Sequence, residues 1–312
     1  MDALPIAREP RLLGRSSLRV FPIAYGCWRL VGGDVPGARR RLEAALELGI
    51  ELFDLADVYG LDHGGSAFGE SETLFGRVLA EAPELRRRMV LATKGGIVPG
   101  VPYDSSPRRL TAACDASLRR LGVDVIDLYQ IHRPDSLAHP EAVAGALARL
   151  RDAGKIREVG VSNFTAAQFA ALQRFLPFPI ATHQPELSCV AIAPLSDGLL
   201  DHCLAERVTP LAWSPLAGGR LGLTAEQAEA TGKGGARLAA VIRALDALAE
   251  REKQTRSAVA LAWLLVHPAG IVPILGTRRP ERLREGVAAL DVELSRADWY
   301  AVWAAARGEP LP

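Results

Sequence analysis

Eight short apolar runs alternate with amphipathic stretches along this 312-residue chain, and this alternation constrains the fold more than any other feature. The runs predict strands at residues 21–26, 51–56, 89–94, 125–132, 158–163, 181–186, 210–215 and 270–277. The intervening segments carry apolar residues at helical spacing, most clearly in residues 38–48, 108–121, 141–153 and 239–251. Because strands that alternate with helices form parallel sheets with helical crossovers, the chain is expected to be an α/β protein.

Eight strand–helix units predict closure into a (β/α)8 TIM barrel, as a single domain over residues 1–312. The alternative is an open doubly wound sheet, but Cys27-Trp28-Arg29-Leu30 follows the first predicted strand where such a sheet usually carries a glycine-rich fingerprint. Residues 11–20 are expected to form an N-terminal β-hairpin cap, and residues 295–306 an extra C-terminal helix. The glycine-rich segment 217–236 has the weakest pattern, which is typical of a lid.

Composition argues against several functional classes. The 37 Lys and Arg nearly balance the 36 Asp and Glu, so no net field favours nucleic acid or an anionic membrane as a partner. The longest wholly apolar run, residues 258–266, is too short to span a membrane. The first residues carry early charges and lack the apolar core of a secretory signal. The four cysteines contain no C-x-x-C pair, so we expect a cytoplasmic protein.

Titratable side chains stand at the ends of three consecutive predicted strands. Asp54 lies in the second strand with Tyr59 in the following loop, Lys94 ends the third strand and His132 ends the fourth. Each alone has a plainer explanation, such as a buried carboxylate or a packed aromatic ring. Because the strand ends of a barrel meet at one mouth, the four are expected to converge. Asp54 can then pair with Lys94, and Lys94 can lower the pKa of Tyr59 so that the phenol donates a proton.

The segments FDLADVYG, LATKGG, LYQIHRPD, GVSNF and PILGTRRPERLRE occur in this order, and together they resemble the aldo-keto reductase superfamily. YGCWRL and AWSPLAGGRLG resemble a bacterial branch of it. The resemblance implies NADPH-dependent reduction of aldehydes or ketones by an Asp-Tyr-Lys-His tetrad without a metal. The matching residues are Asp54, Tyr59, Lys94 and His132. Tyr59 would be the general acid and His132 would orient the carbonyl group.

The resemblance also implies a site for NADP(H), with NAD(H) as the alternative. Ser162, Asn163 and Gln184 would bind the carboxamide, and Trp213 would stack on the nicotinamide where the family usually has a tyrosine. Ser214, Leu216 and Gly218 would cover the pyrophosphate, and Arg220 would contact a phosphate. Thr277, Arg278 and Arg282 would hold the 2′-phosphate, and Glu285 would meet the adenine. The further expected cofactor residues are Cys27, Trp28, Asp54 and Gly276. Gly276 and Gly286 depart from the family, where many relatives carry Lys and Asn, so the choice between the two nucleotides stays open.

The expected partner is a small-molecule carbonyl substrate, bound by Trp28, Tyr59 and His132, and the sequence leaves the oligomeric state open. Two other classes share the same residues. One is a cofactor-binding regulatory or redox-sensing subunit without turnover, although a pure binding module has no need for Tyr59 next to Lys94. The other is a Schiff-base aldolase with Lys94 as the nucleophile.

Overall fold

Residues 3–310 are described by a computed structural model, in which eight parallel strands form a closed barrel. The barrel strands are β3 (Ala24–Gly26), β4 (Leu52–Asp54), β5 (Val90–Gly95), β6 (Ile126–Ile131), β7 (Ile156–Ser162), β8 (Thr182–Gln184), β9 (Thr209–Ala212) and β10 (Val272–Leu275). Each overlaps one predicted strand, and pairing of β10 with β3 closes the sheet. The predicted (β/α)8 barrel is confirmed. Residues 1–2 and 311–312 of the predicted domain lie outside the described residues.

Helices surround the barrel, and several of them begin at a residue whose side chain caps the first turn. In α3, Ser106 Oγ accepts a hydrogen bond from the Arg109 N–H, Pro107 is the first helical residue, and Gly122 follows with φ of 65°. The helices are α1 (Val35–Glu47), α2 (Glu70–Glu81), α3 (Pro107–Leu121), α4 (Pro140–Asp152), α5 (Ala166–Gln173), α6 (Leu199–Glu206), α7 (Ala225–Glu229), α8 (Gly235–Glu252), α9 (Arg256–Leu265), α10 (Pro280–Val287) and α11 (Arg296–Arg307). Over residues 3–310, none of them has both the length and the apolar composition that crossing a membrane requires.

The predicted N-terminal hairpin closes the amino-terminal end of the barrel. Strands β1 (Arg11–Leu12) and β2 (Arg19–Val20) pair antiparallel, and the turn enters the barrel bottom. There the Gly14 N–H donates a 2.8 Å hydrogen bond to Thr209 Oγ1. A Cβ on Gly14 would lie 2.5 Å from the Ala181 carbonyl oxygen, so this approach requires glycine. Leu13, Leu18 and Val20 of the hairpin segment pack against residues of the barrel interior. The opposite end of the barrel therefore holds the mouth.

The two remaining predicted features differ in outcome. The extra C-terminal helix is confirmed as α11, which begins after a capping box at Ser295. Segment 217–236 is more ordered than its weak pattern suggested, with a short 3-10 helix at Ala217–Gly222 followed by α7. Thr224 and Gln227 form a capping box that starts α7, and its buried Ala228 faces the core. A lid role for this segment stays a prediction.

His183 of β8 is fully buried outside the barrel lumen, in a layer shared with α5 and α6. Its ring stacks on Phe169 at a centroid distance of 5.8 Å, and His202 meets the same ring edge-on at 4.7 Å. Burial lowers the pKa of His183 from 6.5 to about 4. The folded protein therefore holds this imidazole neutral in a pH range where the unfolded chain protonates it.

We expect this histidine to make stability depend on pH. Because the unfolded chain takes up the proton near pH 6.5 and the folded chain only near pH 4, the stabilisation is present above pH 6.5 and is lost as the pH falls towards 4. The loss from this group should reach about 3 kcal/mol. Urea unfolding across this range should show a shallower pH slope for His183→Leu than for the wild type. His139→Gln, at an exposed histidine, is the control, and an equal slope in all three proteins would contradict the assignment.

Candidate active site

The four predicted catalytic residues meet at the carboxyl ends of three neighbouring strands. Asp54 is the last residue of β4, Lys94 is the next-to-last residue of β5, and His132 directly follows β6. Tyr59 lies in the loop after β4, and its ring centroid is 5.9 Å from that of His132. Adjacent strand pairing, such as Lys94 beside Gln130, sets these positions. The structure thus brings all four side chains to one end of the barrel.

Lys94 is fully buried, and its ammonium group is saturated with acceptors. It donates hydrogen bonds to Asp54 Oδ2 at 2.7 Å, to the Leu55 carbonyl oxygen at 2.7 Å and to Tyr59 Oη at 3.1 Å. Burial by itself lowers the pKa of Lys94, but the charges and hydrogen bonds of Asp54 and Tyr59 outweigh it and raise the pKa above its ordinary value. The group therefore carries its charge at neutral pH.

Two glutamine side chains hold the carboxylate that pairs with Lys94. Asp54 Oδ1 accepts hydrogen bonds from Gln184 Nε2 at 2.9 Å and from Gln130 Nε2 at 3.2 Å. Sequence reasoning placed Gln184 at the cofactor and missed Gln130. A signal existed, because Gln130 stands two residues before His132 and alternate strand residues share a face. The carboxylate consequently cannot rotate away from Lys94 without breaking these bonds.

Tyr59 differs from expectation in its acidity. Burial raises its pKa above the ordinary value near 10, and the opposing effect of the nearby Lys94 ammonium is smaller. From the sequence we expected Lys94 to lower the pKa of Tyr59. The direction of that effect is correct, but the expectation left out the larger and opposite effect of burial. The phenol is therefore protonated at neutral pH. Because its oxygen accepts from Lys94, its own O–H remains for another acceptor.

His132 is nearly buried and uncharged. Burial, together with the positive charges of Lys94 and Arg133, lowers its pKa well below 6.5. Its Nδ1 atom is buried and has no hydrogen-bond partner among residues 3–310. A neutral imidazole carries one N–H, so His132 can donate a hydrogen bond to a bound oxygen atom.

A cavity of about 500 Å³ opens beside these residues and extends to the start of α10. Its wall includes Tyr59 and His132 and most of the predicted cofactor residues. Those that line it are Trp28, Asp54, Ser162, Asn163, Gln184, Trp213, Ser214, Leu216, Gly218, Gly276, Thr277, Arg282 and Glu285. A concave, mixed polar and apolar site of this size suits a dinucleotide and a small substrate.

The amides near the tetrad form a fixed network. Asn163, held at a left-handed φ of 61°, donates through Nδ2 to the His132 carbonyl oxygen and to Ser162 Oγ. Its Oδ1 accepts from the Trp213 indole N–H at 3.0 Å. Gln184 bonds to Asp54 through Nε2, and its Oε1 accepts no hydrogen bond from the described residues. This end of the cavity offers acceptor oxygens that suit the amide group of a carboxamide.

Three predicted cofactor residues lie away from the cavity wall. Cys27 is fully buried in the core, where it begins a 3-10 helix and its carbonyl oxygen accepts a hydrogen bond from Ser71 Oγ at 2.8 Å. Arg220 is exposed and donates to its own helical turn. Arg278 donates to the carbonyl oxygens of Arg29 at 3.1 Å and His63 at 2.6 Å, which holds its guanidinium on the outer rim.

Two other arginines stand at that end of the cavity. The Arg282 side chain lines the wall and makes no ion pair or hydrogen bond with the described residues, and Arg279, which sequence reasoning did not single out, lines the wall too. Arg279 meets only the exposed Glu281 at 3.7 Å. Exposed guanidinium groups at the start of a helix suit an anionic group such as a phosphate.

Trp28 forms part of the mouth and is not a packing residue alone. Its side chain is 39% exposed, and its ring centroid is 6.3 Å from that of Tyr59. Its Nε1 donates to the Asp62 carboxylate at 2.9 Å, and its ring meets His63 edge-on at 4.3 Å. The loop after β4 therefore fixes Trp28 above Tyr59.

Comparison with known proteins agrees with this geometry. The model of the Aldo/keto reductase family matches residues 22–307. The chain belongs to the aldo/keto reductase family. This match confirms the family resemblance seen in the sequence. The protein is therefore an oxidoreductase of a family that acts on carbonyl compounds.

Two relatives described as 6-dehydroglucose reductase resemble this aldo/keto reductase over their full length. The protein from Novosphingobium aromaticivorans is 50% identical, with 100% of both chains covered. The protein from Agrobacterium fabrum is 36% identical and covers 96% of this chain and 99% of its own. Among solved structures, the thermostable aldo-keto reductase Tm1743 matches with a TM-score of 0.77 and 26% identity, covering 95% of this chain and 99% of that one.

Packing explains one of the two glycines that depart from the family pattern. A Cβ on Gly286 of α10 would lie 2.5 Å from Leu275 Cδ1, so a larger residue here would require the Leu275 side chain to shift. Gly276 has no such restriction, because its nearest contact would be 3.9 Å away. With no side chain at Gly276, the polar side chains of this part of the wall are those of Arg29, Thr277, Arg279, Arg282 and Glu285.

Proposed function

We propose that this aldo/keto reductase reduces aldehydes or ketones to alcohols with NADPH, using Tyr59 as the general acid. The observation that carries the proposal is the contact between Tyr59 Oη and the saturated ammonium of Lys94, beside a cavity large enough for cofactor and substrate. A proton donor and a charge that stabilises its conjugate base are the groups that carbonyl reduction needs.

The residues of this chain would move one proton and hold one oxygen. When bound, the nicotinamide supplies the hydride that the carbonyl carbon receives. Tyr59 gives its Oη proton to the carbonyl oxygen, and the phenolate that remains is stabilised by Lys94. His132, neutral because burial lowers its pKa, donates its N–H to the same oxygen and orients it. Asp54 keeps Lys94 in place through the 2.7 Å ion pair. Water then returns a proton to Tyr59.

The donor set fits NADPH along the cavity. Asn163 and Gln184 offer the acceptors for the carboxamide, and Trp213 offers an aromatic face for the nicotinamide. The backbone at Gly218, which has a φ of 67°, would leave room for the pyrophosphate, because no side chain stands there and the space beside it is open. We assign the 2′-phosphate to Thr277, Arg282 and the neighbouring Arg279. We leave Arg278 out of this site, because its guanidinium already donates hydrogen bonds to two backbone carbonyl oxygens.

Titration with NADPH and NADH, followed by quenching of tryptophan emission, tests the cofactor assignment. Arg282→Ala should weaken NADPH binding about 10- to 100-fold, because it removes charged hydrogen bonds to the 2′-phosphate, and should leave NADH binding unchanged. Arg278→Ala is the matched control and should bind NADPH as the wild type does. Adding an aldehyde to the NADPH complex should then oxidise the nucleotide, which is read from its absorbance.

Several outcomes would contradict these assignments. Equal affinity of the wild type for the two nucleotides would remove the 2′-phosphate site. A larger effect of Arg278→Ala than of Arg282→Ala would return that role to Arg278. If neither nucleotide quenched the tryptophan emission, the proposed reductase function would be contradicted.

The names of the relatives support a polar substrate. Both 6-dehydroglucose reductases act, by name, on an oxidised sugar, and we propose an oxygen-rich aldehyde as the substrate class here.

We also propose a cytoplasmic location, supported by four buried cysteines that form no disulfide among the described residues.

The Schiff-base alternative has less support. A lysine nucleophile must be neutral, and Lys94 instead has a raised pKa and donates to three acceptors. Borohydride treatment with an aldehyde should therefore leave no covalent adduct on Lys94.

A further inference from the structure

Arg133 is a cation of the cavity wall that takes no direct part in the proton transfer proposed above. It directly follows His132 and lines the same cavity. Its side chain is half-buried, and its guanidinium carbon lies over the Trp213 ring, 5.8 Å from the centroid. Among residues 3–310 the guanidinium has no carboxylate partner and donates no hydrogen bond. Its N–H donors are therefore free to bind a ligand.

The other cations of the site are occupied or distant. Lys94 is buried and saturated, and Arg29 donates to the Gly276 carbonyl oxygen at 3.3 Å. Arg279 and Arg282 stand at the start of α10, at the far end of the cavity. Within the described part of the chain, Arg133 is therefore an unpaired cation at the end of the cavity where His132 and Trp213 lie.

The surface under Arg133 is rigid. Trp213 donates its indole N–H to Asn163 Oδ1 at 3.0 Å, and Asn163 donates in turn to the His132 carbonyl oxygen at 3.1 Å. An aromatic face fixed in this way favours a stacked guanidinium and lowers the entropy that is lost when the guanidinium binds a ligand.

We propose that Arg133 determines substrate specificity by binding oxygen atoms next to the reacting carbonyl, and so selects hydroxylated or carboxylated aldehydes over apolar ones. This inference rests on the proposed reductase function. A planar guanidinium can donate two parallel hydrogen bonds to a carboxylate or to neighbouring hydroxyl oxygens. An apolar aldehyde of the same length offers no such acceptor. It would displace water from Arg133 without replacing the hydrogen bonds that the water made.

The test compares two aldehyde pairs of equal carbon number in the full-length enzyme with NADPH. Glyceraldehyde is compared with propanal, and succinic semialdehyde with butanal. Arg133→Met keeps an apolar stem against Trp213 and removes the donors. We expect it to reduce the preference for the oxygenated member, measured as the ratio of the two kcat/KM values, by about 10- to 100-fold. Arg133→Lys should retain part of the carboxylate preference, because it keeps the charge without the planar donors.

The outcomes separate this inference from the reductase proposal. A fallen ratio in either pair supports the inference and shows whether Arg133 selects hydroxyl groups or a carboxylate. Unchanged ratios in both pairs, with turnover intact, overturn the inference and leave the reductase standing. A wild type that reduces none of the four aldehydes overturns both. The NADPH Kd from tryptophan quenching is measured in parallel, and a loss of NADPH binding in Arg133→Met equal to the fall in kcat/KM would show a structural role in place of specificity.

Discussion

Tyr59→Phe should lower kcat for aldehyde reduction by about 10²- to 10⁴-fold while leaving the Kd for NADPH unchanged. The substitution removes the phenolic oxygen that accepts from Lys94 Nζ at 3.1 Å and with it the proton that the carbonyl oxygen would receive. The ring itself stays, so its contacts with Trp28 and His132 are kept. Single-turnover oxidation of NADPH, together with tryptophan quenching, separates the chemical step from cofactor binding.

Tyr103→Phe is the matched control, because Tyr103 is 41% exposed and lies outside the cavity wall. The two variants remove the same atom from the same residue type. If Tyr59→Phe kept most of its kcat, another group would have to be the acid. If it lost NADPH affinity in the same proportion as kcat, Tyr59 would act by holding the cofactor site together.

Local pattern was sufficient to predict the strands and the tetrad. All eight strands were placed because apolar runs alternate with helical periodicity, and parallel strands that close a barrel bring their ends to one mouth. That geometry follows from topology alone, so Asp54, Lys94 and His132 could be predicted to converge before any distance was known.

Properties that depend on long-range contacts could not be predicted in this way. The family resemblance implied a place for Arg278 at the 2′-phosphate, but the direction of a long side chain depends on which acceptors the fold brings near it. Here those acceptors are carbonyl groups of Arg29 and His63, more than two hundred residues away in the chain. The predicted lowering of the Tyr59 pKa was wrong for the same reason. The burial of this residue depends on the whole fold, and burial raises the pKa by more than Lys94 lowers it.

The second large effect is expected at the buried ion pair. Lys94→Met should lower the free energy of unfolding by about 3–5 kcal/mol, because it leaves the buried Asp54 carboxylate without its cation. The Leu55 carbonyl oxygen loses its 2.7 Å donor as well. Reduction of aldehydes should also fall by at least about 10²-fold, since no charge remains to stabilise the Tyr59 phenolate. Urea unfolding and NADPH oxidation measure the two losses separately.

A second substitution distinguishes the causes of that destabilisation. Asp54→Asn added to Lys94→Met removes the uncompensated charge and keeps an oxygen for the amides of Gln130 and Gln184. The double variant should regain a large part of the lost stability and none of the lost activity, because the charge matters to folding only when it is unpaired, whereas catalysis needs the ammonium itself. If the double variant is as unstable as Lys94→Met, the loss comes from packing and from the Leu55 carbonyl. If it regains activity, the stabilising charge for Tyr59 must come from a residue other than Lys94.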